Sequence, residues 1–135
     1  MIERITVCGV PVDICRPENL ETEILELLAK PGTKQIIFLS VWNLLKARGK
    51  NDFAECVKNA DLVIPVSTSI LKGAKFLKKE IPVRYNPFEM VISILSILEL
   101  HYKSVYLLGS TKKSLDQAEK KSARHIPESA HCGSV

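Results

Sequence analysis

The run Leu62-Val63-Ile64-Pro65, followed at once by Val66-Ser67-Thr68-Ser69, constrains this chain more than any other stretch. Three consecutive apolar residues are too few for a helix and read as a buried strand. Pro65 ends it, because proline has no N–H to give a sheet ladder. Ser67, Thr68 and Ser69 are good N-cap residues, and Ile70, Leu71, Ala74 and Leu77 then recur at helical spacing, carrying a helix to about Lys79. Backbone N–H groups at such a strand-to-helix turn point outward and favour anions such as phosphate. Any chemistry should centre there.

The rest of the chain repeats the theme. Ile5 and Val7, then Val10, Val12 and Ile14, predict two short strands around Gly9-Val10-Pro11, with room for a small N-terminal hairpin. Leu20, Ile24, Leu27 and Leu28 share one helical face, Pro17 suits a first-turn position, and Pro31-Gly32 stops the helix. Gln35 to Leu39 reads as a buried strand, and Ser40 as the cap of a short helix through Trp42, Leu45 and Ala47. Asp52 and Glu55 have capping-box spacing for a helix through Asn59. Two prolines make Ile81 to Pro87 irregular. The helix from Pro87 to Leu100 is apolar nearly all round, with Glu89, Ser93, Ser96 and Glu99 on one narrow stripe. It belongs in a core or at an oligomer interface. Ser104 to Gly109 reads as a further buried strand, Gly109-Ser110-Thr111 as a second site-like turn, and Lys112 to His125 as a helix.

Strands alternating with helices imply a three-layer, Rossmann-like α/β domain with a mostly parallel sheet and right-handed crossovers. Residues 1–125 are expected to form it as a single domain, with 126–135 as a flexible tail. A parallel sheet expects another strand after the last helix, and Ile126 to Ala130 is a poor candidate.

Composition excludes several classes. At 135 residues and 46% apolar the chain can bury a real core, and its +4 charge lies mainly on predicted helix surfaces. Few aromatics argue against stacking single-stranded nucleic acid, so no nucleic-acid partner is expected. The four cysteines form no C-x-x-C pair, and His125, His131 and Cys132 lack zinc spacing, so reduced thiols, no metal and no cofactor are expected. The N-terminus carries charge where a signal peptide needs an apolar stretch, and no run reaches roughly 18 apolar residues, which points to a cytoplasmic protein.

Several pieces also line up in order. They are Gly9-Val10-Pro11-Val12-Asp13, then Asn59-Ala60-Asp61-Leu62-Val63-Ile64-Pro65, then Arg84 before an acidic residue, then Tyr106-Leu107-Leu108-Gly109. Over about Ile5 to Ala118 the chain resembles the WecG/TagA/CpsF glycosyltransferases. The resemblance implies transfer of a sugar, typically N-acetylmannosamine or its uronic acid, from a UDP-sugar to a polyprenyl-diphosphate-linked acceptor. It also implies work at the inner membrane face, in building cell-envelope polysaccharide or teichoic-acid linkages. Self-association, or pairing with a paralogue, is expected from the oligomeric habit of the family and from the apolar helix 87–100.

The departures fall at the chemistry. The family's central turn reads Pro-Asp-Gly, its Asp being the proposed general base; here Val66 stands in that place. Valine cannot take a proton, and general-base help is typically worth about 10²–10⁴-fold. Where the family has Thr-Pro-Asn facing the sugar, this chain has Leu39-Ser40-Val41. For Arg-x-x-Gly-x-Asp it has Arg84-Tyr85-Asn86-Pro87-Phe88-Glu89. Arg84 can still pair with a phosphate, and Glu89 is the candidate substitute base. Full-length members continue with a nucleotide-holding Gly-x-Pro-x-Gln-Glu turn and a basic appendage, so the chain is expected to be truncated relative to them. The candidate binding residues are therefore Arg84, Ser67, Thr68, Gly109 and Ser110, and no catalytic residue is assigned beyond Glu89 as the substitute for the base that Val66 displaces. Ser-Thr-Ser before a helix mostly serves capping, Asp13 reads as a turn hydrogen-bonder in the hairpin, and Asp61 reads as structural. Three expectations stand: a working transferase with a relocated base, an inactive homologue, or an unrelated α/β binding module.

Overall fold

Strand β1 (Glu3–Val7) pairs antiparallel with β2 (Val10–Ile14), Val7 facing Val10 and Glu3 facing Ile14. In this computed structural model, which describes residues 2–125 and 132–134, the expected hairpin is present. Its two-residue turn has positive φ at both Cys8 (52°) and Gly9 (81°), the twist that joins adjacent antiparallel strands without splaying them. Val7, Val10, Val12 and Ile14 are buried together in the core.

The chain divides into two compact units, Met1–Pro87 and Phe88–Val135. In the first, a 3₁₀ turn at Pro17–Asn19 leads into α1 (Leu20–Ala29), so Pro17 starts the turn and not the α-helix itself. Strand β3 (Ile36–Leu39) lies parallel to β4 (Leu62–Pro65), and α2 (Val41–Ala47) and α3 (Asp52–Asn59) make the crossover. All four residues of β4 are buried, as its unbroken apolar run requires. Fully burying each of Leu62, Val63 and Ile64 stabilises by about 1.5–3 kcal/mol. In β3, by contrast, only Leu39 is buried and Ile36, Ile37 and Phe38 are half-exposed. Among the described residues β3 is paired with β4 alone, and an apolar run cannot report how many neighbours a strand has.

Helix α3 is capped by Asn51, whose Oδ1 accepts from the Ala54 amide at 2.8 Å; Asp52 moves to the first turn, where its charge suits the helix dipole. Helix α4 (Thr68–Phe76) stops before Lys79 because Lys78 turns left-handed (φ 57°), with the Lys79 amide bonded back to Ala74 O at 2.8 Å. That is a Schellman-type stop built on a lysine.

Besides apolar packing against Val63, one carboxylate links the hairpin to β4. Asp13 is 1% exposed, and its Oδ2 accepts the Val63 amide at 2.6 Å. Arg4 clamps both oxygens, Nε to Oδ1 at 2.6 Å and Nη2 to Oδ2 at 2.7 Å, and also donates to Ala60 O at 3.0 Å. The bond to Asp13 holds the Arg4 guanidinium even more firmly protonated than usual. Asp13 is thus structural, but through a link to a strand fifty positions away and not through a turn of its own.

In the second unit α5 (Pro87–Leu100) is followed by β5 (Val105–Leu107) and α6 (Lys112–His125). Met90 and Ile97 of α5 are buried, whereas Val91 and Leu100 are exposed. Strand β5 is not buried as expected: Tyr106 is exposed and its two neighbours half-exposed, the alternation of a strand with one open face. It pairs in parallel with β6 (Cys132–Ser134), which supplies the strand expected after α6. The rest of the expected tail, with Ile126 to Ala130 and His131, lies outside the described residues. The fold is mixed α/β, with short two-stranded sheets, of which β3–β4 and β5–β6 are parallel.

Candidate functional site at the carboxyl edge of the parallel pair

Leu39 and Pro65 are register partners at the carboxyl ends of β3 and β4, and the Val66 amide donates to Leu39 O at 3.1 Å. One residue further each strand hands over to a helix. Ser40 Oγ accepts from the Asn43 amide at 3.2 Å to cap α2, and Ser67 Oγ accepts from the Ser69 amide at 3.3 Å to cap α4. Two helix N-termini therefore begin side by side on one edge of the sheet. The capping reading of Ser67 holds, while Thr68 and Ser69 remain exposed and Val66 half-exposed. Leu39 is fully buried in the core, and Val41 is half-buried.

Two acids of the first unit are engaged in structural bonds. Asp61 stands at the amino end of β4, four residues from Pro65, or about 13 Å along a strand. Its Oδ2 accepts the Gln35 amide at 2.9 Å and its Oδ1 lies 3.7 Å from Lys34 Nζ. The Gln35 amide above all, and then Lys34, hold its carboxyl below the usual range. Asp13 has both oxygens engaged by Arg4 and Val63.

Arg84 is exposed on the segment between Pro82 and Pro87. Its neighbour Tyr85 is 4% exposed and pins that segment to the end of β2: its hydroxyl accepts the Cys15 amide at 2.8 Å and donates to Cys15 O. Burial pushes the Tyr85 hydroxyl up to about 12, and burial likewise raises the Cys15 thiol. Nothing in the sequence signals this anchor, since one tyrosine among prolines has no periodicity. Val66, Ser67, Thr68 and Arg84 belong to the first unit; Glu89, Gly109 and Ser110 belong to the second. There Gly109 (φ 126°) and Ser110 (φ 60°) are consecutive left-handed residues, and Thr111 caps α6 by accepting from the Ser114 amide at 3.4 Å. Glu89 is exposed in the first turn of α5.

A cleft of about 760 Å³ opens elsewhere in the first unit, between the hairpin and the α2–α3 corner, with Arg4, Thr6, Arg48, Lys50, Glu55 and Lys58 among its lining. Neither Val66, Ser67, Thr68 nor Arg84 lines it. Among the described residues no group of three or more His, Cys, Asp or Glu stands where it could hold a metal ion. No described helix is long and apolar enough to cross a membrane.

Parallel strands that end together and pass into capped helices define an α/β protein whose ligands are expected outside the strands' carboxyl ends. The chain belongs to the glycosyl transferase WecG/TagA/CpsF family, which matches residues 5–135. No curated protein matches it.

Proposed function

We propose that this chain keeps the donor-binding scaffold of a UDP-sugar glycosyltransferase acting on a polyprenyl-diphosphate-linked acceptor, with its proton-transfer step impaired. The observation that carries this reading is Val66 beside Leu39 and Ser40 at the carboxyl edge of β3–β4, where the family's turn carries its Asp. Family membership supports a nucleotide-sugar donor and a lipid-linked acceptor. Under this reading the parallel pair β3–β4 is part of a three-layer Rossmann-like fold, and Arg84 and Thr68 meet the donor's phosphates, while the Gly109-Ser110 turn is a further phosphate-binding candidate within its own unit. Ser67 contributes its backbone, its hydroxyl being engaged in the cap. The chain works at the cytoplasmic membrane face in cell-envelope polysaccharide synthesis, as a homo-oligomer or paired with an active paralogue. It acts as a weak enzyme through Glu89 or as a pseudoenzyme.

The test is calorimetric titration of UDP and UDP-N-acetylmannosamine into the purified chain, followed by a UDP-release assay. Saturable UDP binding that Arg84→Ala weakens, with release slow or absent, is the expected result. A second reading, a non-catalytic α/β binding module, draws on the cleft at the hairpin, which lies away from the turn. It expects no UDP heat at all.

A further inference from the structure

The exposed face of α4 does not look like an ordinary solvated helix face. Lys72, Lys75 and Phe76 stand at i, i+3 and i+4, on the side opposite the buried Ile70 and Ala74. Phe76 is 88% exposed and Leu77, the next residue, 43% exposed. The left-handed stop at Lys78 ends the helix directly beneath them, and Lys79 Nζ ties the turn to Thr6 O at 2.7 Å. From Lys72 to Lys79 there are four lysines and no acid, the first carboxylate being Glu80.

An exposed phenylalanine on a water-facing helix end stabilises nothing in the fold. With Lys72 and Lys75 before it and Lys78 after it, it matches a surface that is anionic outside and apolar just beneath, which is the profile of an anionic bilayer. A polyphosphate backbone would satisfy the lysines but leave Phe76 and Leu77 in water. We propose that the Lys72–Lys75–Phe76–Leu77–Lys78 patch docks the chain on an anionic lipid surface. Phe76 and Leu77 enter the headgroup boundary and the lysines meet lipid phosphates.

The inference deepens the reading of a lipid-linked acceptor. The same helix begins at the Val66–Ser69 turn, and Thr68 lies eight residues, or about 12 Å along the axis, from Phe76. The patch and the candidate turn thus share one short helix, so docking the patch holds the turn close to the lipid surface.

The experiment is co-sedimentation of the purified chain with vesicles of phosphatidylglycerol and phosphatidylcholine in equal parts, and with phosphatidylcholine alone. Wild type should sediment with the anionic vesicles only. K72E/K75E should lower partitioning by about fivefold or more for each lysine removed, and F76S should lower it further. The altered side chains are exposed, so circular dichroism and the melting temperature should stay unchanged. Equal binding by wild type and the variants, or no binding by wild type, overturns the proposal. So does retention on heparin without vesicle binding, which would mark a polyanion site. Because UDP titration is done without lipid, vesicle binding without UDP binding would remove the donor reading and leave this one, and the reverse result would do the opposite.

Discussion

Arg4 grips Asp13 at two points, 2.6 and 2.7 Å, while the same carboxylate takes the Val63 amide at 2.6 Å. The polar link between the hairpin and β4 is therefore a charge, added to the apolar packing of Val10, Val12 and Val63 in one core. Breaking a buried pair leaves an uncompensated charge or an unpaired amide, which typically costs about 3–5 kcal/mol. Arg4 is 40% exposed, so Asp13→Ala should sit near the lower end, at about 3 kcal/mol. Asp13→Asn keeps an acceptor for Val63 and should cost less than Asp13→Ala. Urea unfolding of the two variants and wild type measures both; equal costs would mean that the Val63 bond contributes nothing.

Tyr85 plays a similar part at the other end of β2, where one hydroxyl serves both backbone groups of Cys15. Tyr85→Phe leaves that buried N–H and C=O without their partner and should cost about 1–3 kcal/mol. The pH dependence has a definite sign. An unfolded tyrosine ionises near about 10, whereas in the folded chain burial moves Tyr85 to about 12. Across that interval the folded state holds a proton that the unfolded state has lost, so stability falls as pH rises. The contribution is complete below pH about 10 and gone above pH about 12. The raised Cys15 thiol adds a decline beginning at lower pH, which Tyr85→Phe keeps. Subtracting the alkaline unfolding curve of Tyr85→Phe from that of wild type should isolate the tyrosine's slope.

These two anchors also mark where the sequence stops being legible. The β4–turn–α4 unit could be read because its signals are adjacent: an apolar run, a proline, and a capping serine whose bond reaches only two residues on. The hairpin and the Ser40 cap are local in the same way. Asp13 and Tyr85 act on residues fifty and seventy positions away, and no local pattern carries such a partner. The early end of α4 leaves no mark in the sequence because a lysine, not a glycine, takes the left-handed position. At the candidate site, Val66 was identified from the order of the matched segments, and its place beside Leu39 follows from strand register. The cleft at the hairpin has no comparable signal, since its lining comes from β1, β2, α2, α3 and the turns between them.

Val66→Asp tests the lost-base reading in the direction of gain. The side chain is half-exposed at an open turn, so a carboxylate there can stay hydrated and costs little stability. If the donor and acceptor still bind, restoring a base should raise UDP release by about 10²-fold or more. Glu89→Gln in the Val66→Asp background should then be silent. A loss of the gained activity in that double variant would mean that Glu89 already carries the proton transfer. Unchanged release in Val66→Asp would mean that the impairment lies in binding.

Self-association is the last expectation, and α5 is the element that bears on it. Its sequence is apolar on nearly every side, yet only Met90 and Ile97 are buried, and Val91 and Leu100 stay 40% and 69% exposed. Apolar area removed from water is worth about 25 cal/mol per Å², so a second copy covering this helix would gain where solvent now sits. Size-exclusion chromatography with light scattering should give a mass above 15.1 kDa that rises with protein concentration. Val91→Asp places a charge on the exposed surface without touching Met90 or Ile97, and should shift the mass toward the monomer while leaving the far-ultraviolet spectrum intact. A clean monomer at high concentration for wild type would instead assign the exposed residues of α5 no role in pairing.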